Sequence, residues 1–214
     1  MKTYKIHLIR NGMTKANAEG LYCGATDVPL SEEGEREIYS ILEEYSYPYV
    51  DQLYVSPLSR ARDTASIIFP ENEQIVIDGL KDADFGIFEN RSLEELKTDN
   101  EFQKFVAPKS NYIPESVEPP QEFYNRCRGA FTDIVDELLR TGVRSAAIVT
   151  HAAVIGNILS AVAYPKAAPY DWQCDCGFGY TLTIDPSLYM REPVAEVTAQ
   201  ITVQNINVLE EDFD

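Results

Sequence analysis

Histidine is almost missing from this chain: its 214 residues carry only His7 and His151. A multi-histidine metal centre is therefore nearly excluded. Cysteine is scarce as well, with Cys23, Cys127, Cys174 and Cys176 only. Cys174 and Cys176 form a C-x-C pair with neither a second pair nor a nearby histidine, so the spacing of a zinc site is absent and no metal is expected. Free thiols in a reducing compartment are the simpler reading. No run of about 18 apolar residues occurs, so no helix is expected to span a membrane. The opening residues MKTYKIHLIR show neither a signal-peptide core nor a small-residue cleavage site, and the expectation is a cytoplasmic protein. Basic residues are outnumbered, 18 against 35 acidic, for a net charge of −17. A field of that sign repels nucleic acid and anionic membranes, so neither is expected as a partner. An anionic ligand would need a local basic pocket working against the global charge.

What is present is ordinary globular composition, 44% hydrophobic and 25% charged. The length fits one domain spanning 1–214, with a lid or insertion around 80–125. Tyr4–Arg10 reads as a strand that ends at Asn11-Gly12, a pair that breaks regular structure. Ser31 should cap a helix with Glu32 and Glu33 in its first turn and Ile38, Ile41 and Leu42 on its apolar face. Gln52–Val55 is a second strand running into Ser56-Pro57, with a helix from there to Phe69 and proline in its first turn. Ile75–Ile77 is a third. Ser92-x-x-Glu95 has capping-box spacing and should open a small helix.

Residues 106–120 hold four prolines and no periodicity, which fits a surface loop or lid. A longer helix is expected over Gln121–Arg140, with Phe123, Cys127, Phe131, Ile134 and Leu138 on one face. Ser145–Thr150 is an almost wholly apolar strand, as in the buried middle of a parallel sheet. It leads through His151 into a helix over Ala152–Ala163. Two late strands, Gly179–Ile184 and Glu196–Asn205, precede an acidic tail, Glu210–Asp214, expected to fray. Phe178 and Tyr180 suit either a homodimer edge or internal packing.

Alternating strands and helices predict a three-layer α/β fold, a mostly parallel sheet with helices on both faces. Ligands in such folds sit at the carboxyl ends of the strands. Three strand-to-helix corners lie there: Arg10-Asn11-Gly12, Ser56 through Arg60, and Thr150-His151. Two guanidiniums and an imidazole converging on one edge would bind an anion, since forked arginine donors match phosphate oxygens. Singly, each feature has a commoner structural role; their joint placement is what points to a site.

These corners carry a resemblance. Leu8-Ile9-Arg10-Asn11-Gly12-Met13-Thr14-x-x-Asn17 is similar to L-I-R-H-G-E-T-x-x-N, and Asp27-x-Pro29-Leu30-Ser31-x-x-Gly34 to D-x-P-L-S/T-x-x-G. Ser56-Pro57-Leu58-Ser59-Arg60-Ala61-Arg62-Asp63-Thr64-Ala65 resembles S-P-L-x-R-A-x-Q-T-A. Leu80-Lys81-Asp82-x-x-Phe85-Gly86-x-x-Glu89 resembles L-x-E-x-x-F-G-x-x-E-G, and Val149-Thr150-His151 resembles V-S/T-H-G. Together they resemble the histidine phosphatase, or phosphoglycerate mutase-like, superfamily over nearly the whole chain.

The resemblance implies a fold, a substrate class and a mechanism. A histidine after the first arginine attacks a phosphomonoester, a carboxylic acid protonates the leaving oxygen, and water hydrolyses the phosphohistidine, with no metal or cofactor. Phosphoryl transfer depends mainly on in-line positioning and charge neutralisation. Arg10, Arg60 and His151 would bind the phosphoryl group with Asn17. Thr14, Cys23 and Gly24 fall in the matched or neighbouring substrate-binding segments. Asp82 occupies the proton donor's place, usually Glu, and Glu89 also matches. The expected ligand is a small phosphorylated molecule or inorganic phosphate. Phosphatase activity fits the length better than mutase activity. The loop over 106–120 and Tyr22–Val28, with Tyr112, Pro114 and Pro119, would shape the leaving-group pocket.

One departure bears directly on chemistry: Asn11 stands where the family has its nucleophilic histidine. An amide nitrogen donates its lone pair to the carbonyl and cannot accept a phosphoryl group as imidazole does. His7 lies four residues upstream within the strand and does not replace it. Three explanations stay open: a degenerate phosphate-binding relative, a deliberate substitution of the nucleophile, and weak turnover through water held by His151 and Asp82. The rivals to an impaired phosphatase are a non-catalytic module that binds a phosphorylated ligand and regulates a partner, and a scaffold whose site has drifted. Met13 in place of Glu removes a charge beside the pocket, and Ala152-Ala153 replaces the usual Gly.

Overall fold

Alternation along the central strands sets the architecture. In the computed structural model, which describes residues 3–108 and 110–201, β1 (Tyr4–Arg10) is followed by α1 (Lys15–Ala18), β2 (Leu21–Tyr22) and α2 (Glu32–Glu44). Next come β3 (Gln52–Val55), α3 (Ser59–Ile68), β4 (Gln74–Val76), β5 (Arg91–Ser92), α4 (Leu93–Lys97) and α5 (Asn100–Val106). The chain continues through α6 (Pro120–Thr141), β6 (Ser145–Thr150), α7 (Ala152–Val162) and β7 (Ala163–Tyr164). β8 (Gly179–Ile184), α8 (Pro186–Tyr189) and β9 (Ala195–Ile201) complete it.

Ile6 and Leu8 of β1, Tyr54 of β3, and Ala146 and Ile148 of β6 enter one apolar cluster with α6 and α7. Their neighbours Ile9, Leu53, Val55, Ala147 and Val149 enter a second cluster with Ile38 of α2 and Ala61, Ala65 and Ile68 of α3. Successive strand residues point to opposite faces, so strands that are apolar at every position need a helical layer on each side. That is the expected three-layer fold. Each fully buried Ile, Leu or Val contributes roughly 1.5–3 kcal/mol.

The seven-stranded sheet runs β4-β3-β6-β1-β8-β9-β7. All its pairings are parallel except those of β8 with β1 and with β9, so β8 alone runs against the rest. β1, β6 and β3 lie side by side and end together: Arg10 pairs with Thr150, and Val55 with Val149. β2 and β5 form a separate two-stranded sheet.

Local signals account for most element ends. The Ser31 hydroxyl accepts from Gly34 N–H and caps α2. Ser92 and Glu95 form the expected capping box at α4. Pro120 opens α6, and Gly142 closes it in the left-handed region at φ 77°.

Some expectations need correction. α3 begins at Ser59, so Pro57 precedes the helix rather than sitting in its first turn. The cause is that Ser56 N–H continues the sheet ladder to Val149 O, keeping the chain extended. β4 is displaced by one residue to Gln74–Val76, and α7 stops at Val162 because Ala163 joins a short edge strand. α5, capped by Asp99, and α1, capped by Thr14, escaped notice because each spans under two turns. Phe178 and Tyr180 are buried within the two cores, the internal packing that was one of the two expectations. The last strand begins one residue earlier than expected, at Ala195; residues 202–205 and the tail Glu210–Asp214 lie outside the described residues. No described helix is long and apolar enough to cross a membrane.

Candidate active site

The ends of β1, β3 and β6 bring Arg10, Asn11, Ser56 and His151 to one corner, and the second turn-forming residue of α3 adds Arg60. A cavity of about 200 Å³ opens there. Arg10, Asn11, Thr14, Asn17, Cys23, Arg60, Asp82 and His151 line it, with Phe85, Ala152 and Ala153. Of the expected site residues only Gly24 stands behind the lining. Its N–H donates to Glu89 and its carbonyl accepts from Arg60 Nη2 at 2.6 Å, so both backbone groups are spent inside the protein.

Asn11 is buried. Its backbone N–H extends the ladder to Thr150 O at 2.8 Å. Its side-chain Nδ2 donates to Gly12 O at 2.7 Å, which turns Oδ1 toward His151 Nδ1 at 2.9 Å. His151 is 1% exposed, and Ser56 Oγ lies 2.7 Å from its Nε2. Burial first, and then the positive charges of Arg60, Arg126 and Arg10, hold its pKa well below the ordinary imidazole value. The ring is neutral at neutral pH.

Arg10 is half-buried and donates through Nη1 to Cys174 O at 2.7 Å. Arg60 is 4% exposed. Its Nη1 donates to Thr26 O at 2.9 Å, its Nη2 reaches Asp82 Oδ2 at 3.2 Å, and its Nε lies 3.3 Å from His151 Nδ1. Thr14 caps α1, and its backbone N–H and hydroxyl both donate to Asn17 Oδ1, at 3.1 and 2.9 Å. The Cys23 thiol is raised by burial, with Arg60 opposing.

Burial raises the Asp82 pKa, against the pull of Arg60 and of the Ala83 N–H that donates to Oδ1. A carboxyl held toward its protonated form is equipped to donate a proton. His151 Nδ1 lies 3.7 Å from Asp82 Oδ2; with a neutral imidazole this is a contact rather than an ion pair.

Glu89 does different work. Its carboxylate accepts N–H bonds from Gly24, Ala25, Thr26 and Phe85 at 2.9–3.3 Å, pinning two loops to each other. Burial would raise its pKa, but these bonds outweigh it and the net shift is downward. Gly24 is required by the same docking, since a Cβ there would fall 2.0 Å from Ala83 O. Arg126 carries Asp82 from behind: Nη1 donates to Gly79 O and Lys81 O, and Glu118 pairs with Nε and Nη2. Sequence reasoning gave Ser56, Phe85 and Arg126 no role. Ser56 was visible only as part of a motif, and Arg126 lies 44 residues from the carbonyl of Asp82 that it approaches.

His7 is packed in β1 with Nδ1 3.0 Å from Thr181 Oγ1, and burial, with Lys5 adding, lowers its pKa to about 4. All four cysteines are free thiols, and no group of metal-ligating side chains occurs among the described residues.

Comparison with known proteins gives a consistent picture. Residues 6–187 match the model of the histidine phosphatase superfamily (branch 1). A probable phosphoglycerate mutase GpmB of Cronobacter sakazakii is 30% identical over 163 residues, 74% of this chain and 74% of that protein. An adenosylcobalamin/alpha-ribazole phosphatase of Salmonella typhi is 26% identical over 191 residues, 84% of this chain and 90% of its own. The solved structure of a putative alpha-ribazole-5'-P phosphatase from Escherichia coli superposes with a TM-score of 0.78 at 21% identity, covering 94% of this chain and 97% of that one. A phosphoglycerate mutase structure from Bacillus anthracis gives 0.75 at 15% identity, with 98% of each chain covered.

Proposed function

The chain belongs to the histidine phosphatase superfamily, and from that premise we propose that its cavity binds the phosphoryl group of a small phosphorylated metabolite while Asn11 blocks turnover. The observation that carries this reading is the convergence of Arg10, Arg60 and a neutral His151 on a cavity where residue 11 is an amide. Guanidinium N–H groups and a neutral imidazole N–H neutralise and orient phosphoryl oxygens. Asp82, pushed toward its protonated form, serves the leaving oxygen. Asn11 holds the nucleophile's position with both ends of its amide engaged, and its amide nitrogen has no free lone pair to offer phosphorus. In a serine protease, losing the covalent nucleophile costs on the order of 10⁶ in rate.

The segment around 80–125 acts as the lid in this reading. It supplies Asp82 and Phe85, and a second cavity of about 440 Å³, lined by Ala25, Asp82, Ser116, Glu118 and Arg126, adjoins Asp82 where a leaving group would lie. The ligand is a phosphomonoester, and the framework suits a phosphatase that needs no metal or cofactor better than a mutase.

The test is phosphate release from a broad panel of phosphomonoesters by this chain and by Asn11→His side by side, with mass spectrometry confirming residue 11. Turnover by the histidine form alone, at least about a thousandfold above the native chain, is the expected result. Silence from both, with phosphate still bound, makes the pocket a binding module that regulates a partner. Useful turnover by the native chain overturns the role given to Asn11.

A further inference from the structure

Ser56 is wholly buried at the end of β3, one strand over from His151. Its backbone N–H bonds Val149 O, so the sheet register itself carries its side chain to the imidazole. Two partners lie within hydrogen-bond distance of its Oγ: Leu58 N–H, which donates to it at 3.3 Å, and His151 Nε2 at 2.7 Å. A hydroxyl has one proton to give. Leu58 cannot receive it, so it goes to Nε2; the opposite arrangement would strand a hydroxyl proton in a dry site. At the far side of the ring, Gly12 O holds the Asn11 amide so that Oδ1, an acceptor, faces Nδ1. The Ser56 and Asn11 contacts both favour the proton on Nδ1. Arg60 Nε–H is directed at the same nitrogen from 3.3 Å and favours the other tautomer, but the two shorter contacts, 2.7 Å to Ser56 Oγ and 2.9 Å to Asn11 Oδ1, outweigh it. An anion entering the cavity competes with Asn11 Oδ1 for the Nδ1 proton.

We propose that Ser56 is a positioning residue: its buried hydroxyl donates to Nε2 and holds His151 in the Nδ1–H tautomer, so that a neutral ring offers a donor to an anion in the cavity. Burial and the surrounding arginines keep the ring neutral, which makes the tautomer, not the charge, the property that Ser56 controls. The anion's identity rests on the phosphoryl-pocket reading above; the tautomer does not.

The chain has two histidines, so ring nitrogen–proton correlation spectra of the ¹⁵N-labelled full chain give two resolvable sets of signals, with His7 as internal control. The native protein should show His151 protonated at Nδ1. Ser56→Ala should move the proton wholly or partly to Nε2, leave the His7 signals in place, and weaken binding of inorganic phosphate about tenfold or more. Ser56→Thr, which keeps the hydroxyl, should restore the native pattern. A native His151 protonated at Nε2 overturns the proposal without any variant, and so does a Ser56→Ala protein that keeps Nδ1–H. If the tautomer shifts as expected but phosphate fails to bind the native chain, the phosphoryl-pocket reading fails and the role of Ser56 in setting the tautomer stands.

Discussion

The sheet side of the cavity and its loop side are held by different means. On the sheet side, Arg10 ends β1, and Asn11, Ser56 and His151 follow the last residues of parallel strands, with ladder bonds such as Asn11 N–H to Thr150 O fixing their backbones. Their positions are set by register, and register is set by two apolar faces. On the loop side, Asp82, Phe85 and the chain over 23–27 sit outside the main sheet. There, single charged side chains collect backbone groups: Glu89 gathers four N–H groups, Arg60 two carbonyls from the loop over 24–26, and Arg126 the carbonyls beneath Asp82. The sheet side spreads its stability over many contacts, whereas the loop side concentrates it in a few ionised groups. Substitution at those groups should therefore loosen one wall of the cavity and leave the other standing.

The largest effect is expected at Arg60, where the two sides meet. Arg60→Ala leaves the carbonyls of Gly24 and Thr26 unpaired and removes the guanidinium facing Asp82. Urea unfolding should show a loss of about 3–5 kcal/mol, and phosphate binding should vanish. Glu89→Ala comes next, at about 2–4 kcal/mol, since several partly buried N–H groups lose their acceptor. Hydrogen exchange at Gly24, Ala25 and Thr26 should accelerate while the amides of β1 and β6 do not change. Equal acceleration in β1 would show that the two walls open as one unit.

The sheet side has its own weak point in acid. His7 has a folded pKa of about 4, below the ordinary 6.5, so the unfolded chain takes up the proton first. Its contribution is complete above pH 6.5 and is lost as pH falls toward 4. Between pH 7 and 4.5 the native protein should lose roughly 2–3 kcal/mol more than His7→Gln in paired denaturant titrations. An equal loss in both would place the acid sensitivity elsewhere. The smallest effect is Ser92→Ala, which removes the cap of α4 and should cost about 1 kcal/mol without changing phosphate affinity. A change in that affinity would couple the segment over 88–117 to the pocket more tightly than its separate small core of Phe88, Leu96, Phe102 and Val117 implies.

The same division separates what was legible in the amino acids from what was not. β1, β3, β6 and β8 begin and end where their strand patterns do; β6 is almost wholly apolar because both its faces are covered, whereas β8 alternates apolar residues with threonines. The caps at Ser31 and Ser92 were equally readable, since each acts within three residues. Arg10, Asn11, Arg60 and His151 could be named because each adjoins such a strand or opens such a helix. The start of α3 was misread because proline's liking for a first helical turn yielded to a sheet bond from Ser56 to Val149.

By itself, then, the sequence determined the layered fold and the strand-end corner where Arg10, Arg60 and His151 converge, through periodicity and local bonding, while the resemblance marked the amide at position 11. Tertiary structure alone decided that Glu89 is a loop clamp, that Arg126 supports Asp82 and that Ser56 faces His151. Those contacts join residues tens of positions apart, and nothing in the local pattern of either partner encodes its distance from the other. They form only because folding withdraws the groups from water, where an unpaired hydroxyl, carbonyl or carboxylate must find a partner inside the protein.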